Sequence, residues 1–247
     1  MYKLICNGCS HTAGAEIDYP LQGQNYNKAW GYHLANNLGY DYKNFSMSGS
    51  SVNRVVRTTY EFIYSYLKDN KDFKELLMVI LWPGVNRTEM FVDQDNLFHN
   101  YDDKWTPMVV GNEEQYKETF PKSLYHYFRS WTVNRTPHQA SYEFYITITN
   151  LQNLLHRYGI KYLFMDSANS GLALTDRRLD QYRVHIDKRY YEGFDIRENS
   201  YTTLCHNSGQ KIAQGSIDSG FNSHYDEDAQ IWFAKHIEHI LYKRNIL

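Results

Sequence analysis

Ser10 sits in the run Gly8-Cys9-Ser10-His11-Thr12, directly after a short apolar segment. His224 sits in the polar run 218–226, directly before the last long periodic segment. A serine exposed at the end of a strand and a histidine, the residue type best suited to take and return a proton, are the parts of a nucleophile and a general base for acyl transfer. Taken alone, serine after glycine is also an ordinary turn or helix-capping choice. Two further turns carry groups able to hold an oxyanion. Gly49, in 46–51, has no side chain to shield its N–H from a substrate oxygen, and Asn86, in 82–87, offers an amide donor. Either turn is equally readable as a plain connection. Asn53 could brace its turn or bind substrate; Trp82 is a further candidate substrate contact, and Arg87 could pair with Glu89 or hold an anionic substrate group. His236 and His239 lie within the final periodic segment, where packing or solvent is the better reading.

Other chemistries fare worse. Cys6 and Cys9 have the spacing of a redox pair or half a zinc site. Cys6 falls inside the first apolar segment, and His11 is too close in sequence to complete a tetrahedral site easily with both thiols. Three cysteines make no disulfide framework, so a reducing cytoplasm is the simplest location. A net charge of -2 argues against a broad nucleic-acid footprint. The N-terminus turns polar too early for a signal peptide, and no apolar run approaches the roughly 20 residues of a membrane span.

The elements that must position these groups alternate. Residues 2–6, 42–45, 76–81 and 160–165 read as strands, and 76–81 (LLMVIL) has the continuous apolar character of a parallel strand covered on both faces. Residues 30–38, 52–69, 139–158 and 225–242 carry apolar side chains at helical spacing, although Ile146, Thr147, Ile148 and Thr149 weaken the third. Gly39 and Gly159 follow predicted helices as left-handed caps. This order predicts one α/β domain over 1–247, three layers deep with a mainly parallel sheet, its site at the carboxyl edge where the four turns converge. Residues 88–138 and 167–215 are aromatic, charged and irregular. They read as insertions that wall the site or contact other subunits, which leaves a homo-oligomer open. The 23 tyrosines and five tryptophans fit core, oligomer contact or a platform for sugar rings alike.

Taken in order, these blocks resemble the SGNH hydrolases, the GDSL-like esterase and lipase superfamily. Gly8-Cys9-Ser10 is similar to its first block with Cys9 at the usual acidic position, Gly49 to its second, Gly84-Val85-Asn86 to its third and His224 to its fourth. The resemblance spans residues 6–234. It implies a flavodoxin-like three-layer fold, no metal or organic cofactor, an acyl-serine intermediate, and oxyanion donors from the Ser10 amide, the Gly49 amide and the Asn86 side chain. The Ser-His-Thr turn with a leading Trp82 is similar to phage and bacterial members, so virion association is open. The family's acid stands three residues before the histidine, and that position here is Phe221. Asp218 is the first alternative, with Asp226 and Asp166 behind it, and a Ser-His dyad or a backbone carbonyl as further options. The expected substrate is a small-molecule or polysaccharide ester, with an acetyl group on a carbohydrate foremost. Lipase action is disfavoured by the lack of a sustained apolar lid; a peptidase or thioesterase stays open. The competing expectation is a non-catalytic carbohydrate-binding or structural virion protein that keeps the fold.

Overall fold

The computed structural model describes residues 2–18, 24–69, 72–92, 104–111, 113–168, 172–194, 199–213 and 224–247. Four parallel strands, β1 (Lys3–Asn7), β2 (Asp41–Asn44), β3 (Leu76–Trp82) and β6 (Lys161–Asp166), form a sheet in the order β2-β1-β3-β6. Every residue of β3 is buried, and the pleat sends alternate side chains into two cores. Leu76, Met78, Ile80 and Trp82 meet α3 (Val52–Lys68) and α6 (Pro137–Arg157), whereas Leu77, Val79 and Leu81 meet α2 (Trp30–Leu38) and α9 (Glu227–Lys243). Helices thus cover both faces, which makes the three-layer α/β architecture expected from the alternation of elements.

The strand order matters for chemistry. From β1 the chain steps to β2 on one side and then, through α3, to β3 on the other, so consecutive connections leave toward opposite faces. That switch opens a crevice beyond the carboxyl ends of β1 and β3, the usual ligand position in sheets of this kind. The turn carrying Ser10 follows β1, and the turn carrying Asn86 follows β3.

Local signals set the helix ends. Ser51 caps α3 by accepting from Arg54 N–H, and Thr136 caps α6 just ahead of Pro137. Gly39 and Gly159 adopt φ of +67° and +64°. The β-branched stretch in α6 stays helical because Phe144, Tyr145, Ile148 and Leu151 are buried against the sheet, and packing outweighs propensity.

The two supposed insertions are more ordered than their composition indicates. Within the first, β4 (Arg87–Phe91) and β5 (Trp105–Val109) pair antiparallel, followed by α4 (Glu113–Thr119) and α5 (Lys122–Asn134). Met108, Tyr116, Phe120, Leu124 and Phe128 give this part a core of its own. In the second, α7 (Asp180–Arg183) and α8 (Tyr201–Asn207) are short, but Leu179, Ile186 and Tyr191 join one main core and Tyr201 and Cys205 the other. Much of its aromatic content is therefore packing.

Candidate active site

The first turn is built by three residues before the serine. Asn7, the buried last residue of β1, turns its amide across to α3, where Nδ2 lies 3.0 Å from Val55 O and 2.9 Å from Thr58 Oγ1, while its Oδ1 accepts from Gly8 N–H. Gly8 has φ +154°, and a Cβ there would stand 2.4 Å from Thr12 Oγ1 and 2.7 Å from Leu81 O, so only glycine fits between the strand and the helix it starts. Cys9 donates through Sγ to Ser167 Oγ at 3.4 Å, which ties this turn to the one after β6. Ser10 then opens the single-turn helix α1 (Ser10–Ala13). As its first residue it has an N–H with no intrahelical acceptor.

The second turn is joined to the first by Met47 N–H, which donates to Gly8 O at 3.4 Å. Gly49 has φ +79°, and a Cβ there would meet only the Pro107 side chain, at 3.7 Å. Its glycine therefore answers to backbone conformation rather than crowding.

His224 reaches the same turn from the far end of the chain. Its Nδ1 lies 2.7 Å from Glu16 Oε2, with the two side chains 19% and 41% exposed. A carboxylate at Nδ1 holds the proton there and leaves the lone pair on Nε2, the tautomer a general base needs. The His224 ring also packs on His11 at 4.7 Å between centroids. Glu16 lies six residues after Ser10, beyond the Gly14 cap of α1, and His11 is the serine's neighbour, so both contacts hold the imidazole against the segment that begins with Ser10. Glu16 adopts φ +64°, a left-handed conformation uncommon outside glycine. His11 is held well below the ordinary histidine pKa, first by burial and then by the charges of His224 and Arg87, so it stays neutral.

The carboxylate on His224 Nδ1 is thus Glu16, a residue that carries no motif in the sequence. Asp226 is engaged elsewhere: its Oδ1 accepts from Ala229 N–H at 3.0 Å as the N-cap of α9. Asp166 accepts the Tyr191 hydroxyl at 2.5 Å. Asp218 and Phe221 lie outside the described residues.

Of the candidate substrate contacts, the Trp82 side chain does not reach the sheet edge. It is fully buried, edge-on to Phe144 and Phe164, and faces the core. The exposed Asn86 borders a cavity of about 220 Å³ shared with Val85, Val110, Thr132 and Pro137. Asn53 and Arg87 border a smaller concavity beside it. Arg87 does not pair with Glu89, whose carboxylate is held by Arg57 at 3.0 and 3.1 Å.

Cys6, Cys9 and Cys205 are all buried free thiols, and burial pushes Cys6 and Cys205 well above the ordinary thiol pKa, which removes thiolate chemistry at those two. Among the described residues no group of three or more His, Cys, Asp or Glu is placed to hold a metal ion, and no helix is long and apolar enough to cross a membrane.

Solved structures similar to this chain include TesA, at a TM-score of 0.44 and 15% identity over 98% of this chain and 99% of that one. A member of the lipolytic G-D-S-L family from Veillonella parvula gives 0.48 and 12%, over 98% and 99%. A putative lipolytic protein of the same family from Desulfitobacterium hafniense gives 0.43 and 11%, over 98% and 100%. Likeness at this level says nothing about chemistry, which rests on the geometry above. No curated protein matches the sequence. The model of DUF6071, a family of unknown function, matches residues 14–213, from just after Ser10 to just before His224, and the chain belongs to that family.

Proposed function

We propose that this protein is a serine hydrolase that cleaves a carboxylic ester, with Ser10 as nucleophile, His224 as general base and Glu16 as the acid that orients it. The expected substrate is an acetyl ester on a carbohydrate. The observation that carries this reading is the Glu16–His224 hydrogen bond of 2.7 Å, made six residues after Ser10, with the His224 ring also packed 4.7 Å from that of His11. A histidine fixed in the basic tautomer beside a strand-end serine is the arrangement that acyl transfer requires.

In the reaction, His224 Nε2 takes the Ser10 proton as Oγ attacks the ester carbonyl. The Ser10 and Gly49 amides and the Asn86 side chain receive the oxyanion. The tetrahedral state then expels the alcohol, which leaves with the proton from His224. Water enters by the same route in reverse and releases the acid. Throughout, the Glu16 carboxylate stays on Nδ1 and stabilises the imidazolium formed in each transition state.

Hydrolysis of a chromogenic short-chain acetate by wild type and Ser10→Ala, with thermal unfolding of both, tests this. Turnover should fall by about 10³-fold or more while the fold is kept. Equal rates would remove Ser10 as the nucleophile, and sugar binding without turnover in either protein would favour a non-catalytic carbohydrate-binding role.

A further inference from the structure

Asn53 and Arg57 are four residues apart on α3, and Arg87 and Glu89 are two apart on β4, so each pair shares a face of its element. The faces meet. Arg57 grips Glu89 through two charge-assisted hydrogen bonds and lies over the Trp105 ring at 4.6 Å, and the Glu89 side chain is only 3% exposed. Both Glu89 oxygens are therefore occupied by another guanidinium. Glu61 also reaches Arg57, at 3.2 Å, from its solvent side.

One turn nearer the site, Arg87 and Asn53 border the same concavity, with Arg135 and Glu143 on its wall. Glu143 is engaged too, at 2.6 Å from Arg135 Nη1. With both neighbouring carboxylates bound to other arginines, Arg87 meets no carboxylate within ion-pair distance among the described residues. The concavity has a net positive charge and holds about 20 Å³, room for roughly one or two waters. An oxyanion group fits there; a sugar ring does not. Arg87 also lies near enough to His11 for its charge to disfavour a proton on that ring, after burial and His224.

We propose that the ester cleaved at Ser10 belongs to an anionic substrate, whose carboxylate, sulfate or phosphate group binds between the Arg87 guanidinium and the Asn53 amide. A guanidinium fork matches the oxygens of such groups in both geometry and charge. The proposal rests on the esterase reading for the placement of the ester, while the anion subsite is separable from it.

The test compares O-acetylated methyl galactoside with O-acetylated methyl galacturonoside and with sulfated and phosphorylated counterparts, which rank the three anions. Wild type should favour at least one anionic acetate by about tenfold or more in kcat/KM. The preference should shrink with added salt, vanish in Arg87→Gln mainly through KM, and be partly restored in Arg87→Lys. Thermal unfolding of each variant checks the fold. Equal kcat/KM for neutral and anionic acetates, or a preference that survives Arg87→Gln, overturns the subsite. If no ester turns over, calorimetric binding of the deacetylated galacturonoside and its sulfated and phosphorylated counterparts decides. Binding of one of them that Arg87→Gln abolishes keeps the subsite and removes the esterase reading, whereas no binding of any removes both.

Discussion

Replacing Glu16 with glutamine isolates the charge that orients the base. Both side chains have the same shape and meet the same left-handed backbone cost at φ +64°, so strain cancels in the comparison, as it would not with glycine. The carboxylate stands 2.7 Å from Nδ1 and is 41% exposed. For a pair so open to solvent, an effective dielectric of about 40 gives roughly 3 kcal/mol between the carboxylate and a full imidazolium. In the proposed mechanism the imidazolium forms as Ser10 gives up its proton, so this energy acts on the transition state. Turnover on a chromogenic acetate should therefore drop about 10²-fold with little change in KM. A glutamine that instead donates to Nδ1 would select the wrong tautomer and deepen the loss. The control is Asp218→Asn, which should keep turnover. A kcat for Glu16→Gln within threefold of wild type, or a collapse confined to Asp218→Asn, would refute the assignment of the acid.

Asp226→Ala should separate stability from chemistry. Losing the α9 cap costs about 1 kcal/mol and lowers Tm by about 2–4 °C, with turnover kept; a loss of turnover at unchanged Tm would return the acid role to Asp226. His11 predicts an acid-sensitive fold. Its folded pKa lies well below its unfolded value, so the unfolded chain binds more protons from the ordinary histidine range downward. The stability of the neutral buried ring is complete above about pH 6.5 and declines as pH falls toward the folded pKa, by at most about 1.4 kcal/mol per pH unit. Urea unfolding at pH 7 and 5.5 should show a shallower decline for His11→Gln. His236, also lowered by burial, supplies a residual slope in both proteins. Identical slopes would show that His11 does not titrate on unfolding.

The parts of the fold that declare themselves in sequence are those whose burial follows a simple period. β3 is apolar throughout because both of its faces are covered, and α3 repeats its apolar side chains at helical spacing because one face is. The hairpin of β4 and β5 has no such pattern. Arg87-Thr88-Glu89-Met90-Phe91 is mostly polar, and what holds it is an ion pair to a helix residue 32 positions earlier and a satellite core built by later helices. Ser10 and His224 stand out as candidates in the sequence because each adjoins a strong element. Asn7 could have been found, since a polar residue ending an apolar strand just before a glycine needs a buried partner. Glu16 had no comparable signal. It lies 208 residues from the histidine it binds, in a stretch without periodicity, and its backbone conformation has no local sequence mark.

That long separation has a mechanical consequence. In the resembled family pattern, the acid and the base share one loop, and the nucleophile is the group brought to them. In the proposed triad Ser10 opens α1 and Glu16 follows its Gly14 cap, so nucleophile and acid flank one single-turn helix, whose leading turn Asn7 braces against α3 and Cys9 against the turn after β6. The base is the group that must be delivered. Its backbone is fastened by Ala213 N–H donating to His224 O at 3.0 Å and by the bridge between Ile212 and Tyr225. Movement of α1 as a unit would carry Ser10 and Glu16 together and preserve their relation. Loosening of 211–213 would separate His224 from both at once, so the integrity of the proposed triad depends most on a contact that includes none of its side chains.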